Sequence, residues 1–193
     1  MAELLIELFS EEIPSNLQIN ARKDLFSNFE NLMKKYHVTF NKITVQSSPT
    51  RLVLIITGLP TEVVIPSREI KGPRTNISNE ILDKFLLSHK AQKKEIYIKE
   101  VDKQKFNFIK ISSKKIYTEN ILKENIPKIL SEISWKKSMK WSNYSLVWGR
   151  PLRSILSIFN NKHLKFSYYH LKSSNIISCI NDLKEVRKSI NSL

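Results

Sequence analysis

Two different hydrophobic periods meet at Pro14, and this junction constrains the fold more than any other feature of the sequence. Before it, apolar side chains within residues 4–8 alternate with their neighbours, which is the two-residue period of a β-strand. After it, apolar residues recur at helical spacing: Leu17, Ala21, Leu25, Phe29, Leu32, Met33 and Tyr36. Residues 15–36 are therefore predicted to form a helix with one buried face. Ser15 to Gln18 fit a capping box at its start.

The rest of the chain mixes strands with shorter helices. Strands are predicted at residues 42–47, 51–57, 62–71, 94–101, 106–112 and 164–168. Helices are predicted from Ser78 to about Leu86, from Thr118 to about Ile133, and over residues 151–159, where Pro151 suits the first helical position. The order of these elements indicates an α+β fold with a mainly antiparallel sheet packed with several helices. No linker or repeat marks a domain boundary.

Positive charge is concentrated in one part of the sequence. The 193-residue chain has a formal net charge of +14, and residues 133–181 carry eight Lys and Arg side chains without any Asp or Glu. All three tryptophans, Trp135, Trp141 and Trp148, lie at the start of this stretch. Because cations neutralise phosphates and aromatic rings stack on bases, the stretch favours a nucleic-acid partner. A packed helix with a solvated basic rim explains the same pattern equally well.

The sequence contains no recognisable catalytic or metal-binding constellation. Glycine-rich phosphate loops, Gly-x-Ser-x-Gly elbows and His-Glu-x-x-His motifs are absent from it. The single cysteine, Cys179, excludes an internal disulfide and is interpreted as a packed thiol, and the four histidines lack metal-ligand spacing. Glu11 and Glu12 precede a helix, where negative charge is favourable, so a structural role is favoured over acid–base catalysis. We therefore expect a cytoplasmic protein without catalytic residues, a bound metal or a membrane partner.

Several stretches resemble the β subunit of bacterial glycyl-tRNA synthetase. Residues 4–14 are similar to the opening strand of that family and its Thr-Glu-Glu-Leu-Pro segment, and residues 48–52 resemble its Thr-Pro-Arg-Arg-Leu. Residues 69–73 match its Glu-x-Lys-Gly-Pro. Residues 137–141 resemble Lys-Ser-Met-Arg-Trp, and residues 150–153 resemble the Arg-Pro-x-Arg that follows. The motifs occur in the family's order.

These motifs divide into structural and RNA-contacting candidates. Structural roles are expected for Glu11, Glu12, Pro14, Pro49, Arg51, Gly72, Pro73, Met139, Trp141 and Pro151. Core packing is the favoured explanation for Met139 and Trp141, with base stacking as the alternative for Trp141. Binding to tRNA phosphates is predicted for Lys136, Lys137, Lys140, Arg150 and Arg153. A hydrogen bond or ion pair that holds the turn before Pro151 is an equally good explanation of Arg150.

The resemblance implies a place in an α2β2 ligase that attaches glycine to tRNA(Gly) with ATP. In that family the catalytic domain belongs to the α subunit, whereas the β subunit supplies tRNA binding and assembly. This chain is thus expected to bind no cofactor itself, since ATP and glycine are used by the partner α subunit. Its expected partners are the α subunit and tRNA(Gly).

The resemblance covers residues 1–175 and ends there. Residues 173–175 match a Ser-x-Asn region, but the Gly-His-Arg that follows in the family is missing, and residues 176–193 form a divergent tail. Apolar spacing in residues 183–193 predicts a marginally stable helix. These departures favour an N-terminal fragment from a split or decaying gene, with a second polypeptide that carries the rest of β as a candidate partner. A subunit-docking module and an inactive remnant without tRNA binding are the alternatives.

Overall fold

The chain leaves one structural unit at Val63 and returns to it at Ile116. The structure, a computed structural model, describes residues 1–65, 67–75, 79–89, 92–101, 104–111, 113–181 and 184–190. Unit 1 comprises Met1–Val63 and Ile116–Leu193, and unit 2 comprises Val64–Lys115. Neither junction has a linker, and the sequence alone did not predict this division.

The elements are named in chain order. The strands are β1 (Ala2–Ser10), β2 (Lys42–Ser48), β3 (Arg51–Leu59), β4 (Glu62–Ile65), β5 (Arg68–Arg74), β6 (Ile96–Val101), β7 (Gln104–Ile111), β8 (Lys114–Tyr117), β9 (Met139–Lys140), β10 (Val147–Trp148), β11 (Leu152–Phe159), β12 (Lys162–His163), β13 (Ser167–Tyr168), β14 (Leu171–Ser174), β15 (Ile176–Asn181) and β16 (Lys184–Ser189). The helices are α1 (Ser15–Lys35), α2 (Asn79–His89) and α3 (Thr118–Ser131), with a short 3-10 helix at Lys93–Glu95.

Unit 1 is organised around a sheet with the strand order β13-β14-β11-β1-β3-β2, in which β12 also pairs with β11. Its described pairings are antiparallel except for the parallel pair of β11 with β14. The prediction of an α+β fold with a mainly antiparallel sheet is confirmed. Strands β4 and β8 form a separate two-stranded pair, and β9 pairs with β10 in a small hairpin.

The core of unit 1 lies between this sheet and the buried faces of α1 and α3. Leu4, Ile6 and Leu8 lie on β1 at the centre of the sheet. They belong to one hydrophobic cluster that also contains residues of both helices. The predicted buried face of α1 is confirmed, since Leu17, Ala21, Leu25, Phe29, Leu32 and Met33 are all buried. Pro127 stays inside α3 without ending it. The amphipathic spacing of α1 therefore predicted the buried side of this helix correctly.

The start of α1 differs from the predicted capping box. Pro14 occupies the N-cap position, and Ser15 is already helical. The side chain of Gln18 instead reaches back, with Nε2 donating to the carbonyl oxygen of Ile13 at 2.7 Å. Because the turn before the helix is fixed by Pro14, a serine cap is not required to define where the helix begins.

The prediction of a helix over residues 151–159 is wrong, because this segment is the strand β11. The apolar spacing of Leu152, Ile155, Leu156 and Phe159 after Pro151 suggested a helix. In the structure Ile155–Phe159 is buried without interruption, because both faces of the strand are covered. A strand buried on both faces has no two-residue alternation and cannot be separated from a helix by periodicity.

The later segments also differ from the prediction. Residues 164–166 are not part of a strand, and only Ser167–Tyr168 pairs, with β14. The predicted helix in residues 183–193 is wrong where the structure describes it, because Lys184–Ser189 pairs with β15 along its whole length. Strand pairing supplied by β15 outweighs a weak helical spacing on a polar segment. The side chain of Cys179 lies outside the described residues.

Unit 2 is a three-stranded antiparallel sheet in the order β5-β7-β6, with α2 packed on β5. Among its described residues, Ile109 and Phe108 of β7 and Leu86 of α2 are buried. The predicted hairpin is confirmed as β6 and β7. The single strand predicted for residues 62–71 is divided into β4 and β5. Pro66, where they separate, and Ser78, the predicted cap of α2, lie outside the described residues.

Candidate functional site

Three segments that are far apart in the sequence meet at the end of β1. The amide of Ser10 donates to the carbonyl oxygen of Thr50 at 2.9 Å, and that of Ile13 donates to Pro49 at 2.6 Å. The amide of Glu11 donates to the carbonyl oxygen of Pro151 at 3.0 Å. We call this region, residues 10–14, 49–51 and 150–153, the motif cluster. It contains six of the ten positions that were predicted to be structural, namely Glu11, Glu12, Pro14, Pro49, Arg51 and Pro151.

Arginine side chains reinforce the motif cluster. Arg150 donates from Nε to the carbonyl oxygen of Glu12 at 3.2 Å, and Arg153 Nη2 lies 3.0 Å from Oε1 of Glu11. An open cavity of about 520 Å³ lies beside these two arginines. The structural explanation for Arg150 therefore agrees with its geometry, and the carboxylate of Glu11 offsets the charge of Arg153. Both were predicted to bind phosphate, but both already have partners within the chain.

A partly buried ion pair lies next to the motif cluster on β1. The carboxylate of Glu7 pairs with the guanidinium of Arg51 from the neighbouring strand β3. Arg51 also lies over the ring of Phe9, 4.6 Å from its centroid. Burial raises the pKa of the Glu7 carboxyl, and the charge and hydrogen bond of Arg51 partly oppose that rise. The sequence alone did not suggest this pair, because it depends on the register of β1 against β3.

The three predicted lysines lie in a different setting, on a loop that precedes the motif cluster. Lys136, Lys137 and Lys140 are exposed. In the part of the chain that the structure describes, none of their ammonium groups has an ion-pair or hydrogen-bond partner. We call residues 135–149 the basic loop. Unlike the two arginines, its lysines are available to a ligand.

Buried tryptophans anchor the basic loop to the core. Trp148 of β10 is 2% exposed, and its ring lies 5.0 Å from that of Trp135 and 6.0 Å from that of Tyr168. A Cβ atom on Gly149 would lie 2.3 Å from a ring carbon of Trp135, so only glycine fits beneath this ring. The exposed lysines are therefore carried on a segment held at both ends by aromatic packing.

Two residues of the basic loop do not pack in the core as we expected. Trp141 is 45% exposed and Met139 is 37% exposed. Met139 lies opposite Trp148 in the two-residue pairing of β9 with β10, and Trp141 lies just beyond this pairing. Core packing is therefore the wrong explanation for both residues.

A small cavity lies between the basic loop and the start of β11. Its volume is about 120 Å³, and Met139, Trp141, Tyr144, Trp148, Pro151 and His170 are among its lining residues. Tyr144 is 49% exposed and stacks on the His170 ring at a centroid distance of 3.7 Å and an interplanar angle of 12°. The sequence analysis did not identify Tyr144 as a site residue. An aromatic residue between two tryptophans in an acid-free stretch was the available signal.

The Glu-x-Lys-Gly-Pro motif at residues 69–73 lies in unit 2 and has a packing role. Gly72 and Pro73 fall where the register of β5 against β7 shifts. A Cβ atom on Gly72 would lie 2.6 Å from the ring of Phe85 in α2 and 2.8 Å from the carbonyl oxygen of Asn107. Glycine is thus required for α2 to approach the sheet. The expectation of a structural role stays a prediction that this geometry supports.

Unit 2 also carries a large share of the positive charge, which the motif search did not single out. Residues 64–115 contain thirteen Lys and Arg side chains against six Asp and Glu. Several of these cations have partners within the unit. Lys71 lies 3.8 Å from the centroid of Phe106, and Lys99 pairs with Glu69 at 2.9 Å. Because the lysines of the basic loop have no such partners among the described residues, the basic loop is a better candidate for binding an anion than unit 2.

Two other kinds of site were sought among the described residues. They contain no group of three or more His, Cys, Asp or Glu side chains arranged to hold a metal ion. None of their helices is both long enough and apolar enough to cross a membrane.

Comparison with known proteins gives one consistent result. The family model described as glycyl-tRNA synthetase beta subunit matches residues 4–192, which extends beyond residue 175, where the motif resemblance ends. The glycine–tRNA ligase beta subunit of Rickettsia bellii (strain OSU 85-389) is 38% identical over 179 residues, covering 91% of this chain. That of Rickettsia canadensis (strain McKiel) is 36% identical over 176 residues, and that of Rickettsia felis is 35% identical over 176 residues.

The chain spans only about a quarter of the length of these relatives, 27% for the Rickettsia bellii protein and 26% for the other two. The matched region corresponds to an N-terminal part of the longer proteins. A family match over nearly the whole chain agrees with the order of the motifs and with their convergence at the end of β1. The chain therefore belongs to the glycyl-tRNA synthetase beta subunit family.

Proposed function

We propose that this chain contributes to tRNA(Gly) binding and to subunit assembly in a glycine–tRNA ligase. In this proposal an α subunit uses ATP to attach glycine to the tRNA. This chain binds neither ATP nor glycine. The complex in this proposal is a cytoplasmic α2β2 assembly. Family membership supports an association with an α subunit.

The availability of Lys136, Lys137 and Lys140 is the observation that carries the tRNA part of the proposal. These three side chains are exposed and have no acidic partner in the described ranges, whereas Arg150 and Arg153 are engaged within the motif cluster. Residues 133–181 contain no acidic side chain that would repel a phosphate. The proposal therefore assigns phosphate contact to the lysines and support of the loop to the arginines.

The salt dependence of tRNA binding tests this assignment. We compare the wild-type chain with the triple variant Lys136→Gln, Lys137→Gln and Lys140→Gln, and measure the affinity for tRNA(Gly) at several salt concentrations. Each phosphate contact contributes about 0.7–0.9 to the slope of log affinity against log salt. The triple variant should therefore reduce the magnitude of the slope by roughly 2 to 3.

A matched control separates local contact from net charge. The variant Lys23→Gln, Lys34→Gln and Lys35→Gln removes the same charge from exposed positions of α1. Its salt slope should stay close to that of the wild type. Equal effects of the two triple variants, or no measurable tRNA binding by the wild type at low salt, would contradict the proposal.

A second candidate function is subunit docking without tRNA contact. Ile19 and Phe26 are exposed on α1 and are seven residues apart, which places them on the same side of the helix. Exposed apolar pairs of this kind suit a protein interface. Co-purification with the α subunit by a chain that has no affinity for tRNA(Gly) would favour docking over the tRNA proposal.

A further inference from the structure

The cavity beside the basic loop has the properties of a site for a flat ring. Trp141 and Tyr144 both line it, and each is nearly half exposed. Large aromatic side chains usually bury most of their surface, so two exposed rings at one cavity indicate a binding surface. A planar group that enters the cavity contacts both rings. The ring of His170, which is also a lining residue, stacks on Tyr144 and holds the tyrosine in place.

Positive charge at the rim determines what kind of flat group fits. Nη1 of Arg150 lies 3.6 Å from Sδ of Met139, which is itself a lining residue, so the guanidinium reaches the edge of the cavity. Lys140 lies between Met139 and Trp141 in the chain and is exposed. A group that combines an aromatic ring with a nearby negative charge is complementary to this arrangement. An RNA nucleotide has both, with its base and its phosphate.

We propose that this cavity binds one unpaired nucleobase of an RNA, with the adjoining phosphate toward Lys140 and with Arg150 holding the rim of the cavity through its contact with Met139. The inference rests on the proposed function, because it specifies which part of an RNA the basic loop recognises. A base in a duplex is stacked and paired, and its faces are not available to Trp141 and Tyr144. The cavity therefore selects single-stranded nucleotides, while Lys136 and Lys137 contribute contacts that both kinds of RNA share.

Two RNA probes of the same sequence test the inference on the full chain. One is a fluorescent single-stranded decamer, and the other is its blunt-ended duplex. Trp141→Ala and Tyr144→Ala should each weaken binding of the single strand by about 5- to 150-fold, which corresponds to roughly 1–3 kcal/mol per stacked base. Duplex binding should change by less than about twofold. The salt slope should not change, since no phosphate contact is lost.

Two controls keep the outcome interpretable. Phe26→Ala removes an exposed aromatic ring from α1 and should leave both affinities unchanged. Trp141→Phe keeps a flat ring and should retain most of the single-strand affinity, which excludes misfolding as the cause of any loss in Trp141→Ala. Near-ultraviolet circular dichroism of each variant reports whether the buried tryptophans stay packed.

The outcomes separate this inference from the proposed function. If the lysine variant weakens tRNA binding but Trp141→Ala changes neither probe, or changes both equally, the base site is refuted and the phosphate surface stands. If the wild-type chain binds neither probe nor tRNA(Gly), both proposals are refuted. Loss of single-strand binding in Trp141→Ala, together with its retention in Trp141→Phe, supports the base site.

Discussion

Glu7 is the acidic side chain whose environment departs most from that of an ordinary surface carboxylate in unit 1. It is 9% exposed in the middle of β1 and pairs with Arg51 across the sheet. Burial raises its pKa above the ordinary value of 4.5, although Arg51 acts in the opposite direction. The folded chain therefore holds this proton more tightly than the unfolded chain does. The stability that Glu7 contributes is present below pH 4.5 and is lost as the pH rises through the raised pKa.

Replacement of this carboxyl should change how stability depends on pH. Relative to Glu7→Gln, the wild-type chain should lose free energy of unfolding as the pH rises from about 4 toward 7, because only the wild type must release the buried proton. Urea unfolding of both proteins at several pH values measures this difference. Glu3→Gln, at an exposed position of the same strand, is the control. A difference between wild type and Glu7→Gln that does not vary with pH would contradict the assignment.

Individual side chains also mark how far the sequence could predict the candidate site. Sequence analysis placed five basic residues in one RNA-binding set, but the structure divides them into lysines without partners and arginines with partners. The division depends on contacts such as that from Arg150 to Glu12, which are 138 positions apart in the chain. Sequence spacing contains no information about contacts of this length. The motif residues were identifiable, whereas their partners were not.

At the scale of elements, β11 contains a polar residue in an apolar position. Ser157 pairs with Ile6 in the register of β1 and β11, and it is completely buried. Its hydroxyl has no hydrogen-bond partner among the described residues. A buried hydroxyl without a partner costs about 1–3 kcal/mol of desolvation. Ser157 is therefore a local weakness in the buried core.

The variant Ser157→Ala should therefore stabilise the chain. Removing the hydroxyl removes its desolvation cost and loses little packing, so the free energy of unfolding should rise by about 1 kcal/mol. Urea denaturation followed by tryptophan fluorescence measures this change. Ser154→Ala, at a half-buried position of the same strand, is the matched control and should have an effect within about 0.5 kcal/mol. A loss of stability in Ser157→Ala would mean that the hydroxyl makes a favourable interaction.

The elements that were predicted correctly share one property, which is that their local pattern and their tertiary environment agree. The helix α1 has several turns of unbroken apolar spacing, and the structure buries the side that this spacing defines. β11 and β16 were predicted as helices because their strand structure comes from partners, β1 and β15, that lie elsewhere in the sequence. Pairing of this kind is a tertiary effect that periodicity within one segment does not record.

At the scale of the whole molecule, unit 2 interrupts unit 1 in sequence but has its own sheet, helix and buried residues. Ile109 and Leu86 are buried within it, and Gly72 allows α2 to approach β5. It also carries a surplus of seven positive charges over residues 64–115, against a net charge of +14 for the whole chain. A substitution inside unit 2 should therefore lower the stability of unit 2 before it affects that of unit 1.

Gly72→Ala tests this independence. The added methyl group would lie 2.8 Å from the backbone carbonyl oxygen of Asn107, which cannot rotate away, so unit 2 should lose about 1–3 kcal/mol of stability. Hydrogen exchange should accelerate at amides of β5, β6 and β7, while those of β1, β3 and β11 stay protected. Ser88→Ala at an exposed position of α2 is the control. Equal acceleration in both units would show that they unfold together.

The position of β1 in the middle of its sheet has a consequence for synthesis. β1 is synthesised before β11, but Leu4 pairs with Phe159, which is made after all of unit 2. At typical translation rates, on the order of ten seconds separate the two strands. During that time one edge of a strand rich in leucine and isoleucine lacks its native partner and can pair with another nascent chain. The order in which this protein is made therefore exposes its central strand to aggregation, and a chaperone that covers the first ten residues would protect it.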